Sequence, residues 1–159
     1  MGRKRGERRK AIKVRGGRIA RRIVNMAIRP KKDRYYPPPD EACELPNVFH
    51  IYPTGEPNDP HRIAVRQKIY KGQVVDFAIN QTTLVGKKWR DVARIDCCLG
   101  FIHRHQFDQD GNDLIGHQKI VDIPLVDPWV VVSKGYLDAL TVMHDEWEDN
   151  YRRWQGDGA

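Results

Sequence analysis

Residues 92–123 read VARIDCCLGFIHRHQFDQDGNDLIGHQKIVDI and hold three of the six histidines and two of the three cysteines, set among closely spaced acids. Imidazoles two residues apart, with a carboxylate shortly before them, are the groups that general acid–base chemistry uses near neutral pH. If Leu99-Gly100 closes a two-residue hairpin, Asp96 faces His103 and Arg94 faces His105 across the pair. Strand side chains alternate, so all four then share one side. Depending on a bulge at Gly111, His117 or Lys119 joins them from a third strand. Asp96, His103 and His105 are therefore the candidate catalytic residues of a metal-independent endoribonuclease. One group would take the 2′-hydroxyl proton and another would protonate the leaving oxygen, while Arg94 or Lys119 steadies the phosphorane.

Two other readings compete for the same residues. Phe101 and Phe107 share parity with His103 and His105, so that face can be partly buried, with the rings as hydrogen-bonded core or rim groups. A one-residue slip in register would also part Asp96 from His103. Cys97, Cys98, His103, His105 and His117 include zinc-ligand types, but the cysteine and histidine spacings of zinc modules are missing. Adjacent cysteines on a strand point to opposite faces and read as small buried residues. No metal ligand and no cofactor is assigned on this pattern.

The elements that must position these residues are short strands and a helix. IAVRQKIY (residues 63–70) and VVDFAINQTTLV (residues 74–85), joined through Lys71-Gly72-Gln73, predict a hairpin. Val75, Phe77 and Ile79 share one face and Asp76, Ala78 and Asn80 the other, which suits a sheet covered on one side. Residues 86–90 read as a turn, and DQDGND (residues 108–113) as another, because Asp, Asn and Gly tolerate positive φ. The second turn lacks the ligand series of an EF-hand. From Asp127 the positions Trp129, Val132, Tyr136, Leu140, Met143, Trp147, Tyr151 and Trp154 recur at helical spacing, predicting one long amphipathic helix packed on the sheet. Asp127 is the expected cap and Pro128 suits the first turn, while Gly135 marks either a close approach to the sheet or a break. The fold class expected is α+β: an antiparallel meander of about five strands on a C-terminal helix, preceded by a basic arm.

Charge divides the chain. Residues 1–34 carry 15 Lys or Arg against two acids, a net +13, whereas residues 35–159 carry 13 basic and 19 acidic side chains, a net −6. The domain organisation expected is a basic, partly helical arm at 1–34, a Pro-rich linker at 35–60 and an α+β domain at 61–159. Within the arm, Ile12, Ile19, Ile23 and Met26 or Ala27 recur at helix-like spacing, interrupted at Gly16-Gly17. A short strand over residues 48–52 could run along a sheet edge, where neighbouring prolines do no harm. Arg3, Lys4, Arg5, Arg8, Arg9, Lys10, Lys13, Arg15, Arg18, Arg21, Arg22, Arg29, Lys31 and Lys32 are the candidate nucleic-acid contacts. So many guanidinium and ammonium groups suit phosphate better than lipid, whether on RNA or DNA. Asp138, Asp145, Glu148 and Asp149 make the outer helix face acidic, a surface for a protein partner or for the arm itself. No apolar stretch approaches the ~18 residues of a membrane span, and the start shows no signal-peptide core. With an odd cysteine count, a reducing cytoplasmic setting is the expectation.

The run GFIHRHQFDQDGNDLIG (residues 100–116) resembles the TumE-like toxins of bacterial toxin–antitoxin pairs, over residues 92–123. That resemblance implies a growth-arresting toxin neutralised by a partner protein. Residues 62–154 more broadly resemble small uncharacterised domains from actinobacteria and their phages, which implies no activity. The function expected first is a nucleic-acid- or ribonucleoprotein-associated binding protein that uses its arm. The alternatives are the endoribonuclease above and a structural component of a phage or ribonucleoprotein assembly, its arm ordered by the partner.

Overall fold

The computed structural model describes residues 33–44 and 47–158. The expected arm helix and the candidate nucleic-acid contacts at residues 3–32 lie outside the described residues.

Six strands form one antiparallel sheet in sequential order: β1 (Asn47–Ile51), β2 (His61–Tyr70), β3 (Gln73–Val85), β4 (Lys88–Cys98), β5 (Phe101–Gln106) and β6 (Gln118–Asp122). The meander thus has six strands where about five were expected. The additional strand is β1, which lies inside the Pro-rich segment and pairs only with β2 at the sheet edge. Consecutive strands are joined by tight turns where the chain offers the right residues. At Leu99-Gly100 both turn residues have positive φ, 57° and 87°, as a two-residue turn matched to strand twist requires.

Alternation along β2–β5 sends Ile63, Val65, Phe77, Ile79, Ala93, Ile95 and Ile102 to one face, where they form a core with Val132, Tyr136, Ala139 and Met143. Each such large apolar side chain contributes roughly 1.5–3 kcal/mol on full burial. The second group belongs to α1 (Pro128–Asp145), which is followed by α2 (Trp147–Gln155). The single long helix of the sequence reading is therefore two. The break falls at Glu146 (φ −100°, ψ 10°), whose carboxylate reaches Arg104 at 2.8 Å, and not at Gly135. Gly135 marks the close approach instead: a Cβ there would overlap Ile102 Cδ1. Asp127 precedes α1 with φ 49° and makes no side-chain capping bond, so its expected capping role is not realised. Trp129, the first member of the expected stripe, stays 38% exposed.

The buried face of α2 carries a polar residue into the core. Asn150 is fully buried; its Nδ2 donates to Gln81 Oε1 (3.0 Å), and its Oδ1 accepts from Arg104 Nη2 (2.6 Å). Gln106 Nε2 donates to the Asn150 carbonyl (3.1 Å) and to the Val92 carbonyl (3.0 Å), and Gln81 Nε2 to the Trp147 carbonyl (2.8 Å). Strands β3, β4 and β5 and helix α2 are stitched by one network, because buried polar groups are stable only when paired.

Candidate functional site

The face of β4 and β5 turned away from the helices carries the expected constellation. The register pairs Asp96 with His103 and Arg94 with His105, as a two-residue turn at Leu99-Gly100 requires. Asp96 Oδ1 lies 2.8 Å from His103 Nε2, an ion-pair distance. The contact lacks hydrogen-bond alignment, and Oδ1 is buried with no hydrogen-bond partner among the described residues. His105 Nδ1 donates to Asp113 Oδ2 at 2.5 Å. His117, and not Lys119, completes the group. Its ring centroid is 5.0 Å from that of His103 and 4.8 Å from that of His105, which are themselves 4.6 Å apart. Lys119 turns to Asp122 at 3.1 Å.

The walls are aromatic. Phe101 meets the His103 ring edge-on at 5.3 Å, and Phe107 stacks on His105 at 5.9 Å, so the shared parity read from the sequence places both rings around the histidines. Arg94 lies over Phe107 at 5.4 Å and divides its guanidinium between Asp91 (3.5 Å) and Asp96 (3.9 Å). His103 is only 1% exposed and His105 8%, while His117 is exposed. The cluster is thus a recess whose accessible member is His117.

Burial lowers the pKa of His103, Asp96 pulls the other way, and the nearby His105 and His117 add to the lowering. The ring is held toward its neutral form, the form that accepts protons or binds metal ions. For Asp113, partial burial acts upward, but the His105 hydrogen bond and the Ile115 N–H outweigh it and hold the carboxyl below its usual range. Burial raises the Cys97 and Cys98 thiols, so neither is primed as a thiolate nucleophile.

Asp113 is the residue that sequence reasoning missed. It lies at the far end of the 108–113 turn, in which Asp108 Oδ1 accepts the backbone N–H groups of Asp110 and Asn112. That closure brings Asp113 opposite Phe107 as an isolated bridge and hence beside His105. The signal lies in DQDGND itself, a turn tight enough to return the chain alongside the end of β5. Also unforeseen is a groove of about 610 Å³ between β6 and α1, on the helix-covered side, with Ile120, Val121 and Val130 along its rim.

An antiparallel sheet covered on one face by two C-terminal helices, with a histidine–carboxylate recess on the other, defines a small α+β domain. Its sequence matches the family described as Domain of unknown function (DUF7718) over residues 53–156, and the chain belongs to that family. This agrees with the likeness to small uncharacterised domains; the TumE-like resemblance finds no support in the match. No curated protein and no solved structure matches the chain. Among the described residues no helix is long and apolar enough to cross a membrane.

Proposed function

We propose that the chain is a nucleic-acid- or ribonucleoprotein-associated protein that grips a polyanion through residues 3–34. The observation that carries this reading is the segregation of charge, net +13 over residues 1–34 against net −6 over the remainder. The folded body supports it: Asp138, Asp145, Glu148 and Asp149 are all exposed along α1 and α2, a face that repels phosphate and suits a basic protein partner. Binding of this kind proceeds by counterion release, with little sequence preference and a steep salt dependence. Fluorescence anisotropy with labelled RNA and DNA tests it. The full chain should bind at low salt and lose roughly 10³–10⁵ in affinity between 50 and 200 mM salt if six to ten phosphates are contacted. Deletion of residues 1–34 should abolish binding while the circular dichroism spectrum keeps its strand and helix content. Undiminished affinity in the deletion variant overturns the reading.

A second reading, RNA cleavage without a metal by Asp96, His103 and His105, is favoured by the 2.8 Å contact between Asp96 and His103. It demands a bell-shaped pH–rate profile that resists chelators and vanishes in His103→Ala with folding intact. Cleavage unchanged by that substitution removes it.

A further inference from the structure

We propose that His103, His105 and His117 form a binding site for a divalent transition-metal ion of the zinc class. Each of the three histidines offers a ring nitrogen, and these nitrogens lie within 4.8 Å of one another. A tetrahedral ion with metal–nitrogen bonds of about 2.0–2.1 Å needs its ligands roughly 3.3 Å apart. Two of the three rings are fixed by the sheet. The third, His117, is exposed on the segment leading into β6 and is free to close the remaining distance.

Three further observations fit a metal better than packing. First, the strand-borne rings each have a carboxylate against one nitrogen: Asp113 in a hydrogen bond with His105 Nδ1 (2.5 Å), and Asp96 at ion-pair distance from His103 Nε2 (2.8 Å) without hydrogen-bond alignment. A carboxylate behind a histidine is the usual outer support of a metal ligand, because it orients the ring and makes the opposite nitrogen more basic. Second, that opposite nitrogen of His103, Nδ1, is buried and has no hydrogen-bond partner among the described residues. Such a group is costly unless something satisfies it. Third, the charge balances: two carboxylates beside three neutral imidazoles offset a dication.

Three protein nitrogens leave a fourth position for water or a ligand, the pattern of reactive zinc sites and not of closed structural ones. Imidazole donors favour zinc, copper, nickel or iron over magnesium or calcium. The zinc-module spacings sought in the sequence are absent because the ligands come from one strand and a loop returning beside it, not from two short pairs. This site stands apart from the arm and does not depend on its binding nucleic acid.

The full chain, stripped with a chelator and dialysed, is titrated with cobalt(II) and zinc, with bound metal measured by mass spectrometry. The expected result is one ion per chain and the visible absorption of cobalt in a low-symmetry nitrogen-donor site. His117→Ala removes an exposed ligand with little risk to the fold, and it should weaken binding by at least about tenfold. Asp113→Asn, which keeps the ring contact but loses the charge, should weaken it about 10- to 100-fold, as loss of an outer support does. A combined Cys43→Ser, Cys97→Ser and Cys98→Ser variant should bind as the parent does. No stoichiometric ion, or an affinity indifferent to His117→Ala, overturns the site; loss of binding in the cysteine variant does so as well.

Discussion

The strand β5 carries two polar clusters, one on each face, and they are finished to different degrees. Toward the helices, Arg104 and Gln106 join Gln81 and Asn150 in a network where the amide of Asn150 is used at both ends. Away from the helices, His103 is as deeply placed while Asp96 and Arg94 are partly buried, and His103 Nδ1, Asp96 Oδ1 and Arg94 Nε stay without hydrogen-bond partners among the described residues. The first cluster leaves a single acceptor, Gln106 Oε1, without a partner among the described residues, and its other bonds hold α2 to the sheet. The second keeps donor and acceptor capacity in reserve, which is what a ligand site needs and a structural joint does not.

The largest effect should come from the closed cluster. Asn150→Leu removes the hub, leaves Gln81 Oε1 without its donor and loosens Arg104, which keeps only Glu146, while Gln106 keeps its bond to the main-chain carbonyl at 150. Each orphaned buried group costs about 1–3 kcal/mol, so a loss of about 3 kcal/mol or more in urea unfolding is expected. A loss below about 1 kcal/mol would show the network to be ornamental and erase the contrast.

Next comes the contact that shapes the same face. Gly135→Ala drives a methyl into Ile102 Cδ1 and should destabilise by about 1–3 kcal/mol, less the roughly 1 kcal/mol that alanine gains in a helix. Ile102→Val in the same background should restore part of the loss, a coupling measurable by a double-mutant cycle. Purely additive effects would mean that the helix does not bear on β5 there.

How much of this could be read beforehand follows the range of each interaction. The Asp96–His103 and Arg94–His105 pairings were legible because a two-residue turn fixes register over a few residues on each side, and Leu99-Gly100 specifies that turn. Gly135 was legible as an oddity in a helical stripe. Asn150 was hidden by its type and not by its place: three residues after Trp147 and four before Trp154 it lies on the apolar face, where a polar side chain is not expected without a buried partner. Nor was the break at Glu146 legible: its carboxylate pairs with Arg104, 42 residues away in the chain, and no local pattern announces it. The strand β1 was half legible, since prolines argue against a central strand but permit an edge. Its pairing with β2 across residues 52–60 is a tertiary fact.

The open cluster should behave in the opposite way to the closed one. In metal-free protein, His103→Leu should cost clearly less than Asn150→Leu, because it deletes the unpartnered Nδ1 and an unaligned 2.8 Å contact to Asp96, which keeps Arg94 at 3.9 Å. Saturating zinc, at 100-fold over its dissociation constant, should then stabilise the parent by about 2.7 kcal/mol and the variant far less. A large loss in the metal-free variant would place the histidines with the structural network.

The smallest effect concerns Asp76, whose side chain lies on the same face as Asp96 and pairs with Arg66 at 3.0 Å. Burial raises its pKa, with Arg66 opposing and Asp96 adding to the rise. An acid raised on folding disfavours the native state once ionised. Its contribution is therefore best below the ordinary carboxylate pKa and falls away as pH climbs through the raised native value. Asp76→Asn should flatten that part of the stability–pH curve, the parent gaining relative to the variant on acidification. If instead the parent gains relative to the variant as pH rises, the Arg66 pairing outweighs burial, and this end of the face belongs with the closed cluster.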